Sequence, residues 1–130
     1  MFNDFDVISE YSRNQAIDDG ELIDASSMAK ELGIKVPVAL TRRLWDSWIT
    51  PTALEQSFGQ STTGRLWDAL WMFRVFARDQ GGVSQMHYQL IFQKQTKRAT
   101  LKKHTVTLKA VIGPGDEGEP VITIMLPDED

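Results

Sequence analysis

The hydrophobic period of this chain changes at Gly81-Gly82, and that change limits what it can fold into. Before the glycine pair, apolar residues recur at helical spacing; after it, they alternate. Over 64–79, Leu66, Leu70, Phe73 and Ala77 form one stripe, and Trp67, Trp71, Val75 and Phe76 widen it. An arc this broad predicts a helix buried on more than one side, the central element of the core. Over 86–94, Met86, Tyr88, Leu90 and Phe92 share one face of a strand, with His87, Gln89, Ile91 and Gln93 on the other. Over 104–112, Val106, Leu108, Ala110 and Ile112 alternate with Thr105, Thr107, Lys109 and Val111. A third strand follows at 121–126, after a glycine- and proline-rich turn at 113–120. Helices first and strands last give an α+β fold: N-terminal helices, then a three-stranded antiparallel β-meander packed on the 64–79 helix.

The first half carries its own punctuation. Ser12 and Gln15 have capping-box spacing, and Gly20 stops the helix they open. Asp24 can cap a helix over 25–32, with Gly33 as its stop. The segment 35–40, with Pro37 between Val36 and Val38, reads as extended or turn. Thr41 can cap a helix over 42–49, ended by Thr50-Pro51. The segment 52–63 reads as a surface loop, and Arg65 with Asp68 as a pair on the helix surface. At 130 residues and 42% hydrophobic, the chain suits a single domain spanning 1–130.

Several chemistries lack their residues. With no Cys, there is no disulfide, no thiolate nucleophile and no zinc–thiolate site. His87 and His104 have no neighbour at metal-ligand spacing. The oxygen-rich stretch 113–119 lacks the regular alternation of a calcium loop, so a hairpin turn is the better reading. No phosphate-binding glycine loop is present, and neither His lies in a nucleophile motif. The expectation is a protein that is not an enzyme and carries no cofactor and no metal. The first six residues are acidic where a signal peptide is basic and then apolar, and the longest apolar stretch, 69–73, is too short to span a bilayer. A cytoplasmic protein with no membrane partner is expected.

Charge points instead to partners. Residues 1–34 hold eight acids and two bases, 35–109 twelve bases and four acids, and 110–130 six acids and no base. Such sorting predicts docking of the acidic ends on the basic middle, or binding of a charged partner. Lys94, Lys97, Arg98, Lys102 and Lys103 crowd ten residues between two strands, as a cationic finger for nucleic acid or an acidic protein surface, or as a merely solvated tip. Trp67, Trp71, Arg74 and Arg78 share a second stripe at helical spacing. Large aromatics usually serve the core, and that is the expectation here; an exposed Trp beside Arg would instead make a binding hot spot. The segment 25–34 also begins as helix-turn-helix units do, with Arg42 and Arg43 in the second helix, although Pro37 and its valines occupy the expected turn.

Four blocks resemble one family: Tyr11-Ser-Arg-Asn-Gln-Ala-Ile-Asp-Asp-Gly20, Lys35-Val-Pro-Val-Ala-Leu-Thr41, Gly64-Arg-Leu-Trp-Asp-Ala-Leu-Trp71 and Leu108-Lys-Ala-Val-Ile-Gly-Pro-Gly-Asp-Glu-Gly-Glu-Pro-Val-Ile-Thr-Ile-Met-Leu-Pro127. The family is one of small "plasmid-related" proteins of bacterial plasmids and phages, classed as a domain of unknown function. The resemblance implies an accessory protein of a mobile element, serving transfer, copy control or evasion of host defence. It carries over no catalytic or ligand residue. Taken with the residues, it favours a non-enzymatic protein that binds a host protein or complex, for instance to inhibit a defence system. The alternative is a nucleic-acid-binding regulator using the helix-turn-helix-like segment or the basic hairpin.

Overall fold

Ser12 opens the first helix as its spacing predicts. Its hydroxyl accepts the Gln15 N–H at 3.0 Å, while the Gln15 side chain accepts the Ser12 N–H at 3.0 Å, and helix α1 (Arg13–Asp18) follows. The computed structural model describes residues 11–130, so the acidic opening hexapeptide lies outside the described residues. Strand β1 (Leu22–Asp24) comes next. The Asp24 carboxylate then accepts the Ser26 N–H and hydroxyl at 3.1 and 2.6 Å, setting up α2 (Ser26–Glu31). Gly33 ends this helix at φ 85°, a left-handed conformation that side chains resist. Strand β2 (Val38–Thr41) leads into α3 (Arg42–Leu44), whose first turn is capped by the Thr41 hydroxyl. The chain then continues into a π-helical turn, Trp45–Ile49. Helices α4 (Ala53–Ser57) and α5 (Thr62–Ala77) precede strands β3 (Gln85–Gln95), β4 (Leu101–Pro114) and β5 (Pro120–Met125).

The fold is α+β, and β3, β4 and β5 form consecutive antiparallel pairs. The expected three-stranded meander is nevertheless only part of the sheet. The strand order is β1-β2-β5-β4-β3, five strands among the described residues. Strand β2 lies parallel to β5, with Val38 opposite Ile122, and carries β1 antiparallel on its far side. Strands of three and four residues are too short to display a period, and a parallel partner so distant in sequence leaves no local trace.

One sheet face forms the core with α5. Leu66, Ala69, Leu70 and Phe73 are buried against Tyr88, Leu90, Leu108 and Ala110. The Tyr88 hydroxyl donates to the Ala69 carbonyl at 2.9 Å, and its ring meets Phe73 edge-on. Helix α5 starts two residues earlier than its apolar stripe suggests, because the Ser61 hydroxyl accepts the Gly64 N–H at 2.9 Å and caps it. The helix is buried on one side only: Trp67, Trp71 and Val75 are exposed. The breadth of the apolar arc therefore does not reflect a second packed face.

The opposite sheet face is partly covered by α1 and the C-terminal segment. Arg13 donates to the Thr123 hydroxyl and the Ile122 carbonyl at 2.7 and 2.8 Å. Asp128 pairs with Arg43 at 2.8 Å, and the Glu129 carboxylate accepts the Thr41 hydroxyl and the Leu126 N–H at 2.7 and 2.8 Å. The Lys109 ammonium donates to the Glu129 carbonyl. The acidic end thus docks on the basic middle, as the charge sorting suggests. The same contacts remove the helix-turn-helix reading. Strand β2 separates α2 from α3, while Arg43 is held by Asp128 and Arg42 by Asp46 at 3.3 Å.

The segment 52–63 is a loop only over 58–61. Thr52 and Glu55 form a capping box on α4, and Glu55 is 1% exposed. Its partner is Arg65, 3% exposed, at 3.2 Å, so Arg65 does not form a surface pair with Asp68. Arg65 also donates to the Trp48 carbonyl at 2.9 Å, to the Gln60 side chain at 3.3 Å and to the Gln93 carbonyl. The other Glu55 oxygen accepts the Gln95 N–H at 2.7 Å. Burial pushes the Glu55 carboxyl up, but the N–H groups of Thr52 and Gln95 and the Arg65 guanidinium outweigh it and hold the carboxyl below its ordinary value.

Two stability predictions follow from this packing. Leu70→Ala should cost about 2–5 kcal/mol by denaturant unfolding, the usual range for a buried Leu. Glu55→Ala, which strands a buried guanidinium, should cost about 3–5 kcal/mol. The advantage of wild type over Glu55→Gln should be full above pH 4.5, the ordinary carboxyl value, and shrink as pH falls through the lower folded value. A pH-independent difference would remove the ionised carboxylate from this account.

Candidate functional site

Helical spacing sets Trp67, Trp71, Arg74 and Arg78 along one line of α5, and the fold turns that line outward. Trp67 is 42% and Trp71 37% exposed. Their rings stack with centroids 5.4 Å apart and planes 17° from parallel, and the Arg74 guanidinium lies 5.6 Å from the Trp71 centroid. Arg78 is exposed one turn further on. The expectation that these tryptophans serve the core is therefore corrected. Leu66, Leu70 and Phe73 already fill the side of the helix that meets the sheet, and the tryptophans fall outside that arc.

Trp71 stands on a ridge between two grooves. One, of about 350 Å³, runs past Ile34, Arg74 and Arg78. The other, of about 390 Å³, lies between α5 and strand β3, with Asp68, Trp71 and Met72 on one side and Gln89 and Ile91 on the other. Partial burial raises the Asp68 carboxyl above its ordinary value. Ile91 is 56% exposed. Met72 and Ile91 were not expected at a site, although the alternation had already set Ile91 on the face of β3 away from the core. A lone apolar residue on an outward face is the signal that could have found it.

The basic segment is more ordered than a flexible tip. Strand pairing continues to Gln95 opposite Leu101, so Lys94, Lys102 and Lys103 lie on strands, with Lys94 opposite Lys102. Lys97 and Arg98 alone occupy the turn, which Thr96 and Thr100 close through a 2.8 Å hydroxyl–hydroxyl bond. The Lys94 ammonium sits 4.3 Å from the Trp48 ring centroid. That tryptophan also packs against Phe92 and His104. Lys97, Arg98, Lys102 and Lys103 remain exposed. The structure thus gives two separate surfaces, an aromatic–arginine face on α5 and a cationic hairpin.

Among the described residues no three His, Asp or Glu side chains converge on a point that could hold a metal ion. His87 points outward from β3, and both oxygens of Asp116 accept backbone N–H groups of α1. Among the described residues no helix is long and apolar enough to cross a membrane.

Because the stacked pair lies outside the core, Trp67→Gln and Trp71→Gln should each cost about 1 kcal/mol or less in unfolding experiments. A loss of about 3–5 kcal/mol, the range for a core Trp, would place them inside instead.

No curated protein and no solved structure matches this chain. One family model, described as a family of unknown function (DUF6573), matches residues 1–130, and the chain belongs to that family.

Proposed function

We propose that this protein acts by binding another protein through the Trp67–Trp71–Arg74 face, without catalysis, as an accessory factor of a plasmid or phage that inhibits a host defence system. The observation that carries the binding reading is the exposed, stacked tryptophan pair with a guanidinium on its flank and a groove on either side. Two neighbouring indoles left about two-fifths exposed form a surface apolar patch, the kind that marks an interaction site. Trp and Arg together are the residues most enriched where binding energy concentrates. The mobile-element setting rests on the resemblance of the four sequence blocks to plasmid-related proteins. The defence target is the partner class that such a setting supplies.

The test is capture of the tagged protein from a bacterial host, with protein and nucleic acid both identified. A host defence component should be retained by wild type. It should bind at least about 30-fold more weakly to the Trp67→Ala/Trp71→Ala variant, as expected when a hot spot worth about 2 kcal/mol is removed. Expression should also raise phage plating on a defence-proficient host. Capture of nucleic acid with a steep salt dependence, abolished by neutralising Lys97, Arg98, Lys102 and Lys103 and untouched by the Trp changes, would replace this reading with the regulator.

A further inference from the structure

The two grooves beside Trp71 differ in charge. The one against strand β3 has Asp68 as its single charged lining residue, whereas the one that runs past Ile34 has Arg74 and Arg78 and no acid. Arg74 lies in the last turn of α5 and Arg78 at its C-cap, where the helix dipole favours cations without help from a carboxylate. The ion pairs among the described residues engage Arg42, Arg43 and Arg65, and neither of these two. Arg74 is nevertheless positioned. Its guanidinium lies 5.6 Å from the Trp71 centroid, and a Cβ placed on Gly33 would stand 3.4 Å from its Nε and Nη2. The glycine that ends α2 thus lets the fork lie close against the backbone. The rest of the groove is apolar. Ile34 and Phe73 form its closed wall, and Val75 is 43% exposed at its mouth. At about 350 Å³ it sits at the small end of the range for ligand sites, with room for side chains presented by another chain.

We infer that this groove takes an acidic segment of the partner protein, which lays an apolar side chain on Ile34 and Val75 and turns carboxylates toward Arg74 and Arg78. The inference rests on the protein-binding reading and deepens it by naming the partner's chemistry. A guanidinium that is already aimed loses less freedom on binding, and its forked N–H groups match a carboxylate. One helical turn separates the two arginines, about 5–6 Å between Cβ atoms, close to the spacing of alternate residues on an extended chain. Asp68, in the groove on the other side of Trp71, gives the segment a direction: its acidic part belongs beside the arginines and not across the ridge. Nucleic acid fits less well. A phosphate backbone is held by a track of cations, and here a carboxylate lies just across Trp71 from the arginines. Nor does a second copy match. Two-fold pairing of this groove with itself sets arginine against arginine, and a contact with an acidic surface elsewhere on the copy is head-to-tail, building rings or filaments.

The probe is a blocked synthetic peptide of alternating glutamate and leucine, titrated into the full-length protein. It should bind at least roughly tenfold more tightly than its glutamine–leucine counterpart, with an affinity that falls as salt is added. Its addition should shift the methyl resonances of Ile34 and Val75, and those of Ile91 in the other groove much less. Arg74→Gln/Arg78→Gln should weaken binding by roughly tenfold or more and remove the preference for glutamate. Both side chains are exposed, so the thermal transition should stay near that of wild type; the methyl shifts decide the matter if the variant does not fold. Neutralising Lys97, Arg98, Lys102 and Lys103 should leave binding in place. Methyl shifts centred on Ile91, binding indifferent to the arginine pair, or no binding at any peptide concentration would overturn the proposal. So would tighter binding of oligothymidylate through the same arginines, or self-association of the free protein that the arginine variant abolishes. Host-protein capture that survives Arg74→Gln/Arg78→Gln but is lost with Trp67→Ala/Trp71→Ala would remove this inference alone. Capture indifferent to the tryptophans would remove the reading beneath it.

Discussion

The contact between Glu55 and Arg65 fixes more of this molecule than any other pair. Both charges are almost wholly removed from water, an arrangement that is costly unless every donor and acceptor is used. Here they are used. The guanidinium reaches the π-helical turn, the loop before α5 and the edge of β3, while the carboxylate closes the α4 capping box and takes one N–H from strand β3. Four elements are thereby held to one point, and α5 is set at a defined height along β3. The outward aim of Trp67 and Trp71 follows from that setting, because Arg65, two positions before Trp67, is fixed toward the interior.

What the sequence disclosed and what it withheld divide along physical lines. Caps that act over three residues were legible: Ser12, Thr41 and the glycine stops fall where their spacing places them. So were the long strands, whose period repeats often enough to register. The α4 capping box, Thr52 to Glu55, was equally present but lay in a Ser- and Thr-rich stretch with Gly59 in it, which resembles a loop. Nothing local announces that a glutamate there will be buried, because its partner is ten residues on. The parallel β2–β5 pairing and the outward position of the tryptophans were hidden for the same reason, since each depends on which distant element fills the space first.

The three charge blocks acquire distinct physical meanings once folded. Part of the C-terminal acid is consumed internally, on Arg43 and Lys109, and Asp116 holds the first turn of α1. Among the cations left without such partners, Lys97, Arg98, Lys102 and Lys103 crowd the hairpin, and Arg74 and Arg78 lie toward the end of α5. A chain with formal charge −4 thus presents a local field of the opposite sign at its hairpin, where Lys97, Arg98, Lys102 and Lys103 are exposed. That field is short-ranged in physiological salt, so it orients an approaching surface more than it attracts one from afar.

The parallel seam between β2 and β5 also governs when the molecule can form. Val38 must find Ile122, so β2 joins the rest of the sheet only after the chain has been synthesised through β5. Until β5 has left the ribosome, β2 is paired with β1 on one side only, and the cover of Val38 and Leu40, both fully buried in the finished protein, is incomplete. The hairpin of β3 and β4, built from near contacts, can assemble early and wait. A nascent chain stalled short of β5 would therefore expose the edge of β2 as well as apolar core, a form suited to chaperone capture or degradation. Abundance in the cell should then depend on completed synthesis as much as on the stability of the finished fold.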